Sequence, residues 1–419
     1  MLIFHPSVAP FVQQAARAIA EAGQLDRFVT TVRDDPSAWS QRAVCALGRL
    51  ARRDLARQFR RRAVTEISAA RVESHPGGEL LRVLTALVDR DGRATDVVWE
   101  WSEKLFDRGV ARRLDPAVTG VYGYEHSSLA TFQRARALGL RVAYDVPAPE
   151  SKYVHRLLTA ELARFPEQRT AYHRHTAARE ARRLSRRSAE WHAADLVVAA
   201  SRFTRDSYAQ AGLPVDRVCV VPYGAPPPAS PDLGRRGPTD GAPLTLIWAG
   251  TLSLRKGAHY LLEAWRNGGF GRHARLQIYG AITLPARLLT SLPEGVTLSG
   301  SIPRSELLVR MAQADALIFP TLCDGFGMVA TEAWSRGLPV ITTNRAGAAD
   351  LLEPGHNGLL VPAGDAAAIV EAIAWCLDHR TELAAMRGPA LATAARWQWS
   401  DYRLALADAL RSGGFFRNA

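Results

Sequence analysis

Residues 316–334 read ALIFPTLCDGFGMVATEAW, and this stretch decides how the second half of the chain folds. Its first part, Ala316–Pro320, is a short apolar run typical of a strand buried on both faces of a parallel sheet. A glycine-rich turn follows and leads directly into a helical pattern. A turn of this kind at a helix start is where backbone N–H groups hold an anion. The amides expected to bind phosphate oxygens are those of Phe326, Gly327, Met328 and Val329.

Short apolar runs alternate with helical stretches from residue 117 onward, which predicts a doubly wound α/β fold. The expected strands are Val118–Tyr124, Leu140–Asp145, Leu196–Ala200, Val218–Pro222, Leu244–Ala249, Leu276–Tyr279, Val296–Ser299, Ala316–Pro320 and Leu338–Thr342. An earlier strand is expected at Met1–Phe4. Residues 31–115 look helical and Arg-rich, without a clear strand, and we interpret them as a helical insertion in the first domain.

Residues 222–243 interrupt this alternation with a Pro-, Gly- and Asp-rich segment that has the composition of a linker. We therefore expect an N-terminal domain at 1–222, a linker at 223–243 and a C-terminal domain at 244–397. The last helix, at about 398–419, is expected to pack back on the first domain. A chain of 419 residues suits two domains.

A second segment points to the same chemistry as the first. The strand Leu244–Ala249 ends at Gly250 and is followed by Arg255 and Lys256. Arg binds phosphate oxygens bidentately, Lys adds a point charge, and glycine lets the backbone approach a ligand. Taken alone, two adjacent cations in a loop are more often solvated surface.

Two carboxylates lie eight positions apart around the glycine turn, at Asp324 and Glu332. Glu332 is about one turn inside its helix, where an acidic side chain suits a ribose diol. The alternative is a capped helix with a solvated Glu.

Together with the strand that follows Gly337, these segments resemble the retaining glycosyltransferases of family 4, which have the GT-B fold of two Rossmann-like domains facing a cleft. Arg255 and Lys256 look like the phosphate grip of that family, and the Asp324–Glu332 spacing looks like its Glu-x7-Glu signature. Residues 193–201 and 220–224 match further family landmarks, so the resemblance covers roughly residues 117–400. It departs at Asp324, where the family usually has Glu, at Tyr223-Gly224-Ala225, which replaces a version with asparagine, and at His5-Pro6-Ser7, where a glycine-rich loop is usual.

The resemblance implies that donor contacts also come from the first domain. Relatives often place a His after the strand that here ends at Tyr124, and His126 is the candidate, with Glu125 beside it. With Asp324, these are the expected catalytic residues. Asp145 and His5 are expected on the acceptor side.

The implied reaction moves a sugar from a nucleotide-diphosphate sugar to a hydroxyl acceptor, in cell-envelope, polysaccharide or glycolipid synthesis. The acceptor itself is not identified by the sequence. We expect no cofactor and no metal, because cations and a helix start would stabilise the leaving diphosphate. A metal-dependent enzyme would need an Asp-x-Asp after a strand. Asp89-Arg90-Asp91 fits that string, but it follows a segment, Leu80–Val88, that reads as an amphipathic helix.

The net charge is +12, lies mostly before residue 220, and is carried almost entirely by Arg. Such a charge favours polyanionic partners. A nucleic-acid-binding protein is therefore an alternative, although the Arg clusters lack interleaved aromatic residues and no nucleic-acid fold signature is present. A sugar-nucleotide epimerase on the same fold is another alternative, and it would need an acid–base set that we do not find.

The basic residues also suggest a membrane contact. Apolar residues recur at helical spacing in Gln41–Arg62 among many arginines, and five arginines in Arg179–Arg187 are interpreted as one face. Basic amphipathic helices suit an anionic bilayer, and the alternative is a core-facing stripe with solvated arginines. The four cysteines are widely spaced and no signal peptide is seen. We therefore expect a cytoplasmic protein, peripheral on the inner face of the membrane if the basic helices bind it.

Overall fold

The computed structural model of the chain describes residues 1–50, 54–60, 62–89, 91–230 and 242–417. The N-terminal domain has the strands β1 (Leu2–Phe4), β2 (Arg27–Thr30), β3 (Val72–Ser74), β4 (Gly120–Tyr124), β5 (Arg141–Val146), β6 (Leu196–Ala199) and β7 (Val218–Val220). Within the described residues they form one parallel sheet in the order β3-β2-β1-β4-β5-β6-β7.

Helices cover both faces of this sheet. They are α1 (Pro10–Glu21), α2 (Trp39–Leu50), α3 (Leu55–Arg60), α4 (Gly77–Val88), α5 (Arg93–Arg112), α6 (Leu129–Ala137), α7 (Ser151–Arg164), α8 (Ala171–Ala193) and α9 (Arg202–Gln210). Side chains of β1 alternate between two apolar clusters, since Ile3 joins one and Leu2 and Phe4 join the other. A strand buried on both sides explains why the apolar runs of the sequence are continuous.

The expectation of a purely helical segment between residues 31 and 115 is wrong at one place. Residues Val72–Ser74 form β3 at the edge of the sheet, paired in parallel with β2. A three-residue edge strand is too short to show alternation, so the pattern of apolar residues does not reveal it. Where it is described, the rest of the segment consists of helices α2 to α5 and the loops that join them, and α4 covers all of the Leu80–Val88 stretch interpreted as a helix.

The C-terminal domain repeats this architecture. Its strands are β8 (Leu244–Ala249), β9 (Ala274–Tyr279), β10 (Val296–Gly300), β11 (Ala316–Phe319), β12 (Val340–Thr343) and β13 (Gly358–Val361). As far as the chain is described, they form a parallel sheet in the order β10-β9-β8-β11-β12-β13. The helices are α10 (Ala258–Asn267), α11 (Arg304–Gln313), α12 (Met328–Trp334), α13 (Ala366–Asp378), α14 (Arg380–Ala385) and α15 (Arg387–Arg396). Two doubly wound parallel domains are thus confirmed.

The chain passes twice between the domains, and the two passages lie side by side. The amide of Ala225 donates to the Trp397 carbonyl at 2.9 Å, and the Trp397 indole donates to the Pro222 carbonyl at 2.8 Å. Beyond this point α16 (Trp399–Ser412) packs on α1 of the first domain, where Arg403 contacts Glu21 at 2.8 Å. The described part of the predicted linker therefore runs beside the returning chain.

Most arginines of α8 do not form the single basic face expected from the sequence. Arg183 is 8% exposed and binds Asp96 at 2.7 Å and Glu100 at 3.1 Å, and Arg186 binds Asp107. These carboxylates lie on α5, so α8 is held to its neighbour by buried ion pairs. That interpretation of Arg179–Arg187 is wrong, because helical spacing alone does not reveal which face a neighbouring acidic helix covers.

The predicted helix at Gln41–Arg62 is described as two shorter ones, α2 and α3. Val44, Leu55 and Phe59 are buried in a small apolar cluster, whereas Leu47 is exposed. Ala51, Arg52, Arg53 and Arg61 lie outside the described residues, as does the Arg57 side chain. On α2, Trp39 and Leu50 are 77% and 83% exposed, next to the exposed Arg42 and Arg49.

Burial of α16 generates a stability prediction. Leu406 is fully buried against the first domain, whereas Leu404 on the same helix is 67% exposed. Leu406→Ala should lower the free energy of unfolding by about 2–5 kcal/mol, because it leaves a cavity in the core. Leu404→Ala should change it by less than about 0.5 kcal/mol. Urea denaturation of both variants measures the difference, and equal effects would contradict the packing of α16.

Candidate functional site

Each sheet has one point where the strand order reverses, between β1 and β4 and between β8 and β11. In open parallel sheets, ligands bind beyond the carboxyl ends of the strands at such a point. Gly250 and Asp324 follow β8 and β11, and His5 and Glu125 follow β1 and β4. The residues chosen from sequence therefore lie at the two places where this architecture forms ligand sites.

The turn after β8 depends on glycines where backbones approach closely. Gly250 has φ 128° and Gly257 has φ 74°, values that favour glycine. A Cβ on Gly257 would overlap the carbonyl oxygen of Pro320, which follows β11. The loop that carries Arg255 and Lys256 is therefore pressed against the end of the neighbouring strand.

Lys256 and Asp324 form an ion pair across the two loops. Their side chains are 15% and 12% exposed, and the Lys256 ammonium lies 4.9 Å from the centre of the Phe319 ring. Burial, together with the neighbouring Arg255, lowers the pKa of Lys256. An anion bound beside the ammonium would oppose this shift.

Arg255 is held by the backbone of the Asp324 loop. Its guanidinium donates to the Cys323 carbonyl at 3.0 Å, and its own carbonyl accepts the Leu322 amide at 2.9 Å. These contacts orient a guanidinium whose remaining N–H groups are available for a ligand. The structure thus brings together Gly250, Arg255, Lys256 and Asp324 in one corner of the C-terminal domain.

The glycine turn after Asp324 lies directly against the first domain. A Cβ on Gly325 would overlap the Pro147 carbonyl of the first domain. The Gly325 carbonyl accepts hydrogen bonds from the hydroxyls of Ser201 at 2.6 Å and Thr204 at 3.1 Å. Only a residue without a side chain fits between the domains at this position.

The turn then enters α12. Phe326 is buried and lies edge-on to Tyr223 at 5.4 Å, within the apolar cluster of the first domain. Gly327, with φ 84°, is the residue before the helix. Among the hydrogen bonds of the described residues, none is donated by the backbone amides of Phe326, Gly327, Met328 or Val329. These amides keep their donors for the predicted anion.

Glu332 lies on α12, one turn after its start. Its carboxylate accepts a hydrogen bond from Arg304 of α11 at 2.6 Å. Glu332 is 17% exposed at the side chain, whereas Arg304 is 54% exposed. The ion pair fixes one oxygen of Glu332 and leaves the other for a ligand hydroxyl.

On the side of the first domain, Glu125 faces this corner. Its carboxylate binds Arg187 of α8 at 3.2 Å. Burial raises the pKa of Glu125, and the charges of Arg187 and of Arg255 in the other domain oppose the rise. The sequence pattern assigns Arg187 to a basic face and does not predict this contact. The spacing of Arg187 gives no signal that it would meet Glu125.

The His126 ring accepts a hydrogen bond at 2.7 Å from Arg187, the same arginine that binds Glu125. His126 has φ 77°, the only positive value for a non-glycine among the described residues, and strain of this kind is seen at functional sites. Its amide donates to Glu190 at 2.8 Å, and its ring lies 5.1 Å from Trp99. Burial and the nearby arginines, Arg187 first, lower its pKa well below the ordinary value. The ring lines a separate cavity of about 300 Å³ with Trp99.

The two residues expected on the acceptor side, His5 and Asp145, lie near each other. His5 is half-buried, whereas Asp145 is buried. Burial lowers the pKa of His5 to about 4, and its ring packs edge-on to Tyr124 at 4.8 Å. Asp145 is 1% exposed and accepts hydrogen bonds from Tyr122 at 2.6 Å and Tyr223 at 3.4 Å. Burial raises the pKa of Asp145 to about 7. Their roles toward an acceptor stay predictions.

The metal-binding string is not at this site. Asp89 follows α4 and accepts the amide of Thr95 at 2.7 Å, and Arg90 lies outside the described residues. Across the described ranges, no three His, Cys, Asp or Glu side chains gather as metal ligands would. No helix in this part of the chain combines the length and apolar character needed to cross a bilayer.

The whole architecture is that of the GT-B glycosyltransferases. Anabaena HepE in complex with UDP-glucose superposes with a TM-score of 0.61 over 98% of this chain and 99% of that one, at 17% sequence identity. At this identity the likeness shows the fold, and the GT-B expectation is confirmed.

The sequence comparisons point in the same direction. Residues 243–379 match the family model Glycosyl transferases group 1. The putative colanic acid biosynthesis glycosyltransferase WcaL of Salmonella typhimurium is 30% identical over 155 residues, which are 34% of this chain and 38% of that protein. The D-inositol 3-phosphate glycosyltransferase of Acidothermus cellulolyticus is 29% identical over 252 residues, 51% and 56% of the two chains. The chain thus spans about half the length, or less, of these relatives.

Proposed function

We propose that this protein is a retaining glycosyltransferase that moves a sugar from a nucleotide-diphosphate sugar to a hydroxyl acceptor without a metal ion. The observation that carries the proposal is the corner formed by Arg255, Lys256 and Asp324, which lies at the strand-order reversal and faces the first domain across Gly325. The relatives are named as glycosyltransferases of polysaccharide and inositol-phosphate chemistry, and HepE binds UDP-glucose.

The chemistry follows from where charge develops. Breaking the bond between the anomeric carbon and the diphosphate leaves negative charge on the leaving group. Arg255 and Lys256 are cations at this corner, and the amides at the start of α12 add donors without reorganising. Fixed positive charge in a half-buried site stabilises a separating anion more strongly than the same charge in water.

The Lys256–Asp324 pair gives the site a way to respond to the donor. A diphosphate competes with the Asp324 carboxylate for the ammonium, because both are anions. Once Lys256 turns to the phosphate, Asp324 is released to accept hydroxyl groups of the transferred sugar. Glu332 meanwhile keeps its bond to Arg304 and offers its second oxygen to the ribose.

The first domain would present the acceptor. Glu125 follows β4 at the strand-order reversal of that domain, and the charge of Arg255 opposes the rise of its pKa. We assign Glu125 to the reacting sugar ahead of His126, whose ring packs on Trp99. Neither the alternative of nucleic-acid binding nor that of an epimerase is favoured by the comparisons.

A peripheral contact with an anionic membrane is part of the proposal. The exposed face of α2 combines Trp39 and Leu50 with Arg42 and Arg49. A helix that presents apolar and basic side chains to solvent binds the interface of anionic bilayers. This would place the enzyme at the inner face of the cell membrane.

The donor cations give the first test of the proposal. Arg255→Ala and Lys256→Ala should each reduce nucleotide-sugar turnover by about 10-fold or more, the loss expected for charged hydrogen bonds. Turnover should persist in EDTA, and NMR of the product should show retained anomeric configuration. Arg310→Ala, at an exposed pair with Glu306, is the control and should leave turnover unchanged. Full activity in both cleft variants would remove them from the site.

The two carboxylates should act differently. Ribose hydroxyls are remote from the reacting carbon, so Glu332→Gln should raise KM and leave kcat nearly intact. Asp324 lies beside Lys256, so Asp324→Asn should lower kcat more than it raises KM. Asp324→Glu, which restores the residue usual in family 4, should keep substantial activity, and Glu306→Gln serves as a surface control. Steady-state kinetics measure kcat and KM for these variants. A fall in kcat for Glu332→Gln, with only KM changed in Asp324→Asn, would reverse the two roles.

The membrane contact is tested with liposomes. Co-sedimentation should require acidic lipid and fade with rising salt, because the cations are exposed. The double variant Trp39→Ser/Leu50→Ser should bind less than wild type. Leu404→Ser removes an exposed apolar side chain from α16 and is the matched control. Equal binding to neutral vesicles, or none at all, would refute the contact.

A further inference from the structure

A groove of about 470 Å³ runs between α7 and α8 in the first domain, outside the corner described above. One side is an apolar stripe formed by Val154, Leu158 and Leu162, which are spaced four residues apart on α7 and are half-buried. Residues four apart share one face of a helix, so the stripe follows the groove. The apolar stripe faces the open interior of the groove.

The two ends of the groove differ in charge and in what they adjoin. At one end lie Ser151 and Arg187, and Arg187 binds the cleft residue Glu125 at 3.2 Å. Arg169 and Arg174 line the groove near the start of α8. Since a helix rises about 1.5 Å per residue, the stretch of α7 from Ser151 to Leu162 is about 16 Å long. A ligand that fills the groove is therefore extended and longer than a single hexose.

Arg169 and Arg174 differ from Arg187 and from the arginines on the opposite side of α8, which are paired with carboxylates. Arg183 and Arg186 each bind carboxylates of α5. Among the ion pairs of the described residues, none includes Arg169 or Arg174. The acidic lining residue, Glu180, faces His155 at 3.6 Å. Burial, and after it the charge of the nearby Arg169, lowers the pKa of His173.

We propose that the groove between α7 and α8 binds the acceptor, and that the acceptor is an extended oligosaccharide carrying anionic substituents. This inference rests on the proposed function and names its acceptor. Arg169 and Arg174 would hold a carboxylate or phosphate substituent, for which guanidinium groups have matching geometry. The apolar stripe would contact the C–H faces of the sugars.

The lining favours a saccharide over a hydrocarbon chain. The Thr159 hydroxyl and the imidazoles of His155 and His173 also line the groove. A hydrocarbon offers no hydrogen bond to the Thr159 hydroxyl, whereas a sugar hydroxyl does. Binding pockets commonly combine an apolar surface with a few polar groups that fix orientation. The Ser151–Arg187 end delivers the last sugar to the cleft, beside Glu125.

The test measures binding to the full chain by calorimetry. The probes are trigalacturonate, maltotriose carrying one phosphate, neutral maltotriose, galacturonate and octyl phosphate. At least one anionic trisaccharide should bind about 10-fold or more tightly than maltotriose, and tighter than galacturonate, because it spans the groove. Arg169→Ala/Arg174→Ala should remove that preference. Arg134→Ala, an exposed arginine of α6 that takes part in no ion pair of the described residues, should keep it.

Several outcomes would overturn the inference. The first is equal affinity for the anionic trisaccharides and maltotriose, and the second is equal affinity for galacturonate and the anionic trisaccharides. The third is an unchanged preference for the anionic trisaccharide in the double variant. The fourth is tighter binding of octyl phosphate than of the trisaccharides, which would indicate a lipid groove. Binding of UDP to the same samples separates the two proposals. Loss of the trisaccharide with UDP binding retained rejects the acceptor groove alone. Trisaccharide binding without any nucleotide binding rejects the proposed function instead.

Discussion

The structure depends on the contact between Gly325 and the first domain. The carbonyl of Gly325 receives two hydroxyl donors, and any side chain at this position would collide with Pro147. Because Asp324 and Phe326 flank it, the same contact holds Asp324 against Lys256 and buries Phe326 in the core of the other domain. The contact between the domains and the arrangement of the site therefore depend on each other. A change that separates Gly325 from Ser201 also loosens the loop that carries the Asp324 carboxylate.

Much of this arrangement was predictable from sequence, because it rests on local patterns. The β11–α12 unit requires an apolar run, a glycine turn and a helix, all of which are contiguous in residues 316–334. Arg255 and Lys256 follow β8 in the same way, and parallel strands bring their carboxyl ends to one edge. The positions of neighbouring strand ends follow from the strand order alone, so the corner of Arg255, Lys256 and Asp324 can be assembled from two short segments.

The structural features that the sequence did not predict depend on contacts between distant segments. The surroundings of His126 come from three distant residues: Glu190 accepts a hydrogen bond from its amide, Arg187 donates to its ring, and Trp99 packs on that ring. The arginines of α8 share helical spacing with a surface face, yet α5 supplies the acids that bury them. The edge strand β3 is defined by pairing with β2, not by its own three residues.

The central claim is that the Arg255–Lys256–Asp324 corner binds a nucleotide diphosphate. A thermal-shift panel of nucleotide diphosphates and their sugars on wild type and Lys256→Ala tests it most directly, because a ligand bound only by the folded state raises its stability, by about 2.7 kcal/mol at 100 times Kd. The account predicts that at least one nucleotide raises the Tm of wild type, and that the shift is much smaller in Lys256→Ala. No shift with any nucleotide, or an equal shift in both proteins, would contradict it.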